Sequence, residues 1–228
     1  MSDLLLKTNK YEKVLYKILR GFFPHICIFC GKTIIQNNIC CDNCQKELIY
    51  MGKTKDIDYI DFSYAAYAYS EYSRRPIFSL KYGGRRYLAE HIAKILADFI
   101  GNNLKVDMIV PVPLHKKRLK SRGFNQAELM AAEISELLNT RAYSVLERLK
   151  ATEKLSLLTT RQRQESIENA FAIKPTAQSL NLAGKSILLI DDILTTGATL
   201  RQCAKVLRTQ SPKHIYAVSF LASARGSY

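Results

Sequence analysis

The stretch Ile187-Leu-Leu-Ile-Asp191-Asp192-Ile-Leu-Thr195-Thr196-Gly197-Ala198-Thr199 decides the fold. Its four leading apolar residues do not alternate with polar ones, which is typical of a central parallel strand covered on both faces. Ligands of open α/β sheets bind at the carboxyl ends of strands, and the amides at a helix N-terminus attract phosphate. The adjacent carboxylates can accept hydrogen bonds from two sugar hydroxyls. The stretch therefore predicts a strand, two acids and a Thr/Gly loop that together bind a phosphosugar.

The chain around this stretch has an α/β pattern. Strands are predicted at Tyr64–Tyr69, Val106–Val112, Ser186–Asp191 and His214–Leu221, and apolar stripes of helical spacing at 88–99, 130–138 and 200–207 lie between or beside them. Strands separated by helices imply a mostly parallel sheet with helices on both faces. We predict four parts: a leading helix over 1–24, a cysteine-rich unit over 25–50, a linker over 51–62 and an α/β domain over 63–228.

The charge balance favours polyanionic partners. The 228 residues include 34 Lys and Arg against 20 Asp and Glu, for a net charge of +14. The cations cluster at 74–86 and at 116–122, although a merely solvated basic surface is the plain alternative. No apolar run approaches the roughly 20 residues of a membrane span, so we expect a cytoplasmic protein, where structural disulfides are rare.

Five of the six cysteines lie between residues 27 and 44. Cys27-x-x-Cys30 and Cys41-x-x-Cys44 predict a closed site of four thiolates for a structural zinc. Cys40 is an alternative ligand, but only Cys41 keeps the two-residue spacing. A set of reduced core cysteines is the competing interpretation, and Cys203 is expected to lie in the core.

The stretch quoted first resembles the phosphoribosyl-pyrophosphate motif of type I phosphoribosyltransferases. The resemblance implies that Asp191 and Asp192 hold the ribose hydroxyls, and that the loop Thr195, Thr196, Gly197, Ala198 and Thr199 holds the 5-phosphate. The upstream run 110–118 resembles the pyrophosphate loop of these enzymes, which implies pyrophosphate contacts from Pro113, His115, Lys116 and Arg118. A solvated basic loop is the alternative for this second run.

The order of features resembles the ComF-type competence family, in which a four-cysteine zinc finger precedes a phosphoribosyltransferase domain. The matching stretches are the two cysteine pairs, Leu80-Lys-Tyr-Gly-Gly84, Pro111-Val-Pro-Leu-His115, Arg122-Gly-Phe-Asn-Gln126 and the Asp191 motif. Between 146 and 171 the family pattern has a Gln and an Asn where this chain has Leu155 and Ser166. That region matches the loop that covers the ligand in active transferases, so turnover is less expected than binding.

The resemblance implies a phosphoribosyl-pyrophosphate-binding competence factor that handles incoming single-stranded DNA in natural transformation. A Mg-dependent phosphoribosyltransferase with an unknown acceptor is the alternative, and competence-machinery proteins are further candidate partners. Cationic grooves with aromatic residues such as Tyr82, Tyr87 and Phe124 suit single strands. The predicted DNA-binding residues are Arg74, Arg75, Lys81, Lys120 and Arg122. A pure zinc-ribbon DNA binder would leave the Asp191 motif unexplained.

Overall fold

The computed structural model describes residues 4–8, 11, 14, 18, 25–34, 38–150 and 169–223. Most of the predicted leading helix, and the positions Leu155 and Ser166, lie outside these residues. In chain order the elements are β1 (His25–Ile26), β2 (Thr33–Ile34), α1 (Asp42–Glu47), β3 (Tyr50–Lys53), β4 (Phe62–Ala68), α2 (Arg75–Tyr82), α3 (Leu88–Asn103), β5 (Met108–Pro111), α4 (Lys116–Arg122), α5 (Gln126–Leu137), β6 (Leu146–Arg148), β7 (Phe171–Ile173), β8 (Ser186–Leu194), α6 (Ala198–Arg208) and β9 (His214–Ala222).

A five-stranded sheet with the order β3-β4-β9-β8-β5 forms the centre of the molecule. Strands β4, β9, β8 and β5 are parallel, and only the edge strand β3 is antiparallel. The four predicted strands are all present, and the mostly parallel sheet is confirmed. Their carboxyl ends therefore lie at one edge of the sheet.

Strand β8 shows why helices cover both faces. Ile187 and Leu189 pack in one core cluster, which also holds Leu200 and Leu207 of α6. Leu188 and Ile190 pack in a second cluster with apolar residues of α2, α3 and α5. Because successive side chains of a strand point to opposite faces, the two clusters lie on opposite sides of the sheet.

Several elements differ from the expectation. Strand β8 runs to Leu194, three residues past the predicted end, because Ile193 and Leu194 still pair with β9. The basic run expected as part of a loop forms α4: His115 caps its start by accepting a hydrogen bond from the Lys117 amide, and Gly123 ends it with a φ of 80°. Helix α2 also lacked a prediction; Pro76 lies in its first turn.

The segment 51–62, predicted as a linker, is more than a connection. Its first residues belong to β3, where Gly52 pairs with Ala65 and Lys53 with Tyr64. Its middle part, Lys55 to Asp58, lies against the start of α6. The segment therefore helps to shape the neighbourhood of the predicted phosphate loop.

The cysteine-rich unit packs directly on the α/β core. The buried Phe29 ring lies 6.0 Å from Tyr67, 6.2 Å from Tyr72 and 6.4 Å from Phe220, measured between ring centroids. Cys27, Cys44 and Leu48 belong to the same apolar cluster as α2 and α3. A unit this small has little core of its own, and this packing buries its apolar residues in the core of the α/β domain.

Among the described residues, none of the helices is both long and apolar enough to cross a bilayer.

Candidate functional site: a cavity at the carboxyl ends of the parallel strands

A cavity of about 430 Å³ opens where the four parallel strands end; we call it the main cavity. Its floor includes residues that end or follow those strands: Tyr69 after β4, Val112 after β5, Asp191 and Asp192 in β8, and Ser223 after β9. Its volume lies within the range of roughly 300–1,000 Å³ that is common for small-molecule sites. The structure therefore places this cavity at the carboxyl ends of the strands, where the sequence predicts a ligand site.

The two acids of β8 lie side by side in the main cavity but in different surroundings. The Asp192 carboxylate forms an ion pair with the Lys81 ammonium, and the two side chains are only 7% and 14% exposed. Asp191 accepts a hydrogen bond of 2.8 Å from the Asp192 amide through Oδ1. Lys81 is one of the residues that the sequence predicts to bind DNA. Its ammonium contacts a carboxylate that is predicted to bind the ribose.

Burial, followed by the charge of the adjacent Asp192, raises the pKa of Asp191 to about 7. The cations Lys81 and Arg148 act in the opposite direction but do not cancel the rise. Two neighbouring carboxylates in a confined site resist simultaneous ionisation. A perturbed acid of this kind in a cleft is a mark of functional sites.

The proline loop lies beside these acids because β5 and β8 are adjacent. Pro111 pairs with Ile190 in the parallel register, and the Val112 amide donates to the Ile190 carbonyl at 2.9 Å. Pro113 and Leu114 then line the main cavity. The predicted pyrophosphate loop and the predicted ribose acids are thus brought together.

The run Arg122 to Gln126 fixes the other side of the loop. Asn125 caps α5 by accepting from the Ala127 amide at 3.0 Å, and its amide nitrogen donates to the Val112 carbonyl at 3.0 Å. The Arg122 guanidinium donates to Oε1 of Gln126. The run therefore ties two helices to the proline loop and directs Arg122 into the main cavity.

Cations line the main cavity together with the acids. Arg118, Arg122 and Arg148 join Lys81 there. Arg148 is buried, and its guanidinium lies 5.3 Å from the Phe171 ring centroid. Burial lowers the pKa of Arg148, and the Arg118 charge lowers it further. A buried guanidinium stays charged, so it can serve as a fixed anion ligand.

Other predicted cations lie outside the main cavity's lining. His115 caps α4 through Nδ1, which accepts from the Lys117 amide at 3.2 Å. Lys116 and Lys120 are exposed on α4. His115 therefore has a structural contact through Nδ1, and the pyrophosphate contacts of His115 and Lys116 stay predictions.

The phosphate loop is shared between two cavities. Thr195 and Thr199 line the main cavity, whereas Thr196, Gly197 and Ala198 line a neighbouring one of about 300 Å³ together with Lys55 and Arg201. Gly197 starts α6 with a φ of 81°, and a Cβ there would lie 3.1 Å from Ile57 Cδ1. The positive φ favours glycine at this position, and any side chain there would also require Ile57 to shift slightly.

Lys55 is a site residue that the sequence did not reveal. Its ammonium donates to the Thr195 carbonyl at 3.1 Å, and burial lowers its pKa. It also lies beside the second cavity, next to the amides that open α6. No local pattern marks it, because the contact joins residues 140 positions apart.

The remaining predicted DNA-binding cations flank the main cavity at the start of α2. The Arg74 guanidinium lies 4.8 Å from the Phe78 ring centroid, and Arg75 lies at the same distance from Tyr72. Arg74 also pairs with Glu71. Both arginines are thus partly engaged within the protein.

Four of the five clustered cysteines form a compact group. The sulfur atoms of Cys27, Cys30, Cys41 and Cys44 all lie within 4.8 Å of one another, and those of Cys30 and Cys41 are 3.8 Å apart. A tetrahedral zinc with Zn–S bonds near 2.3 Å requires sulfurs about 3.8 Å apart. The group fits such an ion and could hold a metal such as zinc.

The backbone around these cysteines also fits a metal site. Gly31 takes a φ of 75° directly after the first pair, which makes the tight turn of a knuckle. The Tyr72 hydroxyl is hydrogen-bonded to Cys44 Sγ. Cys40 lies next to the group, and burial, followed by the charge of Cys27, raises its pKa to about 12. Cys40 does not belong to the group of four sulfurs that lie within 4.8 Å of one another, and it is therefore the weaker ligand candidate.

Comparisons with known proteins give the family. Residues 84–228 match the phosphoribosyl transferase domain. The chain is 33% identical over 211 residues to competence protein ComFC of Bacillus subtilis, covering 89% of this chain and 80% of the relative. It is 26% identical to competence protein F of Haemophilus influenzae, covering 83% and 93%, and 30% identical to the DNA utilization protein YhgH of Escherichia coli, covering 58% and 59%.

The domain match includes the acids of β8, the phosphate loop and the proline loop, and the similarity to ComFC reaches over most of the chain. The chain therefore belongs to the phosphoribosyl transferase domain family and, within it, to the ComF-type competence proteins.

Proposed function

We propose that the main cavity binds phosphoribosyl pyrophosphate and that the protein handles incoming single-stranded DNA during natural transformation. The observation that carries this proposal is the composition of one cavity, where the paired acids of β8 face Lys81, Arg118, Arg122 and Arg148. Carboxylates suit the ribose hydroxyls, and guanidinium groups suit phosphate. The names of the relatives support a role in competence.

Each part of the ligand has a candidate contact. Asp191 and Asp192 would accept from the ribose hydroxyls, and the loop 195–199 would hold the 5-phosphate. The pyrophosphate would lie near Pro113 and Arg118. Lys81 contacts Asp192 through Oδ2, so a ribose hydroxyl would either share this carboxylate with the ammonium or displace the ammonium toward the phosphates.

Two metals belong to the proposal. A structural zinc would be held by Cys27, Cys30, Cys41 and Cys44, and it would supply cross-linking without an open coordination position. Magnesium would accompany the diphosphate, since it binds through few protein ligands and the substrate phosphates. The six free cysteines agree with a reducing compartment, and we place the protein in the cytoplasm.

Isothermal titration with phosphoribosyl pyrophosphate and magnesium tests the small-ligand part. Asp192→Asn and Asp191→Asn should each weaken binding, because each loses an anionic hydrogen-bond acceptor; a cost of about 1.5–3 kcal/mol corresponds to roughly 10- to 150-fold. Glu47→Gln is the matched control, because it removes an exposed charge on α1. Equal affinity for all four proteins would refute the ribose assignment.

The second candidate function is a phosphoribosyltransferase. The main cavity extends past the ribose acids to a wall of Tyr69, Phe78 and Tyr82, which leaves room for an acceptor. Catalysis would then come from positioning and from the cations that stabilise the leaving diphosphate. Incubation with phosphoribosyl pyrophosphate, magnesium and single-stranded DNA, followed by a pyrophosphate assay, decides between binding alone and turnover.

A further inference from the structure

The main cavity has a second wall that the phosphosugar does not require. Phe78 and Tyr82 stand on consecutive turns of α2, with ring centroids 5.8 Å apart. Tyr82 is 72% exposed and Phe78 is 37% exposed. The Tyr82 ring adds little to the stability of the fold, since apolar surface stabilises only when it leaves water.

A guanidinium group lies over each ring of this wall. Arg122 lies 5.4 Å from the Tyr82 centroid, and Arg74 lies 4.8 Å from the Phe78 centroid. Gln126 holds Arg122 in place by a hydrogen bond. Each guanidinium lies over one face of its ring, and the ring surface that stays exposed, most of it on Tyr82, suits a flat ring attached to a phosphate.

The other aromatic residues of the basic region do not share this arrangement. Phe124 is half-buried, with Arg86 at 4.9 Å from its ring centroid, and Tyr87 packs edge-on against His91. Neither lines the main cavity. Of the three rings that the sequence suggests for nucleic acid, Tyr82 is the one that faces the paired acids.

Helix α4 supplies a path for a charged strand that ends at this wall. Its seven residues include five cations and no acid. Arg118 and Arg122 line the main cavity, and the exposed Lys116, Lys117 and Lys120 continue the positive charge on the same short helix. Phosphates that follow these lysines would lead the chain of a nucleic acid to the cavity mouth.

We propose that Tyr82 and Phe78 form a stacking site for one unpaired nucleobase of single-stranded DNA, at the mouth of the phosphoribosyl cavity. This inference rests on the proposed function and specifies where the DNA enters. A paired base is covered by its neighbours in the stack, so only a flexible single strand can deliver a base there. The site would place the nucleotide close to the proposed ribose acids.

An oligothymidylate with one internal 2-aminopurine tests the stacking site, because the fluorescence of 2-aminopurine falls when it stacks. Anisotropy of an end-labelled copy reports DNA binding separately. Tyr82→Ala should weaken binding about 10-fold and abolish the quenching, whereas Tyr82→Phe should retain both. Tyr50→Ala is the matched control, since Tyr50 is a 65% exposed tyrosine on β3 outside the main cavity.

The outcomes separate the stacking site from the proposed function. Oligonucleotide binding without quenching, or equal losses in Tyr82→Ala and Tyr50→Ala, overturns the stacking site and leaves DNA handling intact. No anisotropy change at low salt overturns both. Quenching by free 2-aminopurine riboside monophosphate, with none by the oligonucleotide, identifies a mononucleotide site and overturns the single-strand assignment. Thermal unfolding midpoints of Tyr82→Ala and Tyr82→Phe that match that of the wild type show that both variants are folded.

Discussion

Asp191→Asn should make the protein more stable while weakening its ligand binding. The pKa of Asp191 rises from an ordinary value of 3.8 to about 7 because of burial and the neighbouring Asp192. An acid whose pKa is raised by folding destabilises the folded state once it ionises. The penalty is absent below about pH 4, grows as pH rises, and is complete above about pH 7.

The size of this penalty follows from the pKa. At 1.36 kcal/mol per pKa unit, the rise corresponds to roughly 4 kcal/mol at most. Water in the open cavity screens part of it, so we expect Asp191→Asn to gain about 1–3 kcal/mol at pH 8. Asparagine keeps Oδ1, the atom that accepts from the Asp192 amide, so the substitution removes charge and leaves that contact.

Urea denaturation at pH 5 and pH 8 measures the effect, with Asp192→Asn as the matched comparison. Asp192→Asn should lower the stability of the protein, because it leaves the nearly buried Lys81 without its carboxylate. The gain for Asp191→Asn should be larger at pH 8 than at pH 5. A loss of stability at pH 8, or equal effects of the two substitutions, would refute the conclusion that the ionised Asp191 carboxylate destabilises the fold.

Three further predictions test other parts of the molecule. Lys81→Met should cost about 3 kcal/mol of stability by stranding the Asp192 carboxylate, as thermal unfolding against the exposed control Lys120→Met would show. Metal analysis should find one zinc per chain, lost in Cys27→Ser or Cys44→Ser and kept in Cys40→Ser; equal loss in all three contradicts the ligand set. The logarithm of DNA affinity should fall with the logarithm of salt concentration, at a slope near −0.7 per phosphate contact. Charge reversal at Arg74, Arg75 and Lys120 should make this slope shallower by about 2 and leave the binding of phosphoribosyl pyrophosphate unchanged.

Local patterns made part of the fold predictable. The β8 to α6 unit could be read because a buried strand, a Gly197 turn and an amphipathic helix each carry a signal within a few residues. The four-cysteine group was equally legible from its spacing. The structure brings these four sulfurs together, and it opens the main cavity beside the acids of β8.

Contacts between distant segments were not predictable. The pairing of Lys81 with Asp192 depends on how α2 packs over the sheet, and the bond from Lys55 to Thr195 depends on the path of the segment that follows β3. Helix α4 escaped prediction for another reason. Its run of basic residues has no apolar stripe, yet lysine and arginine are good helix formers and His115 provides a cap.

The packing of the cysteine unit against Tyr72 offers a physical route by which the proposed zinc and the proposed phosphosugar could be thermodynamically linked. Tyr72 is hydrogen-bonded to Cys44 and lies under Arg75, the first residue of α2, and the last turn of that helix carries Lys81 and Tyr82. By reciprocity, any factor by which zinc tightens phosphosugar binding is the factor by which phosphosugar tightens zinc. A shortage of zinc would then lower the affinity for the phosphosugar in chains that are still folded.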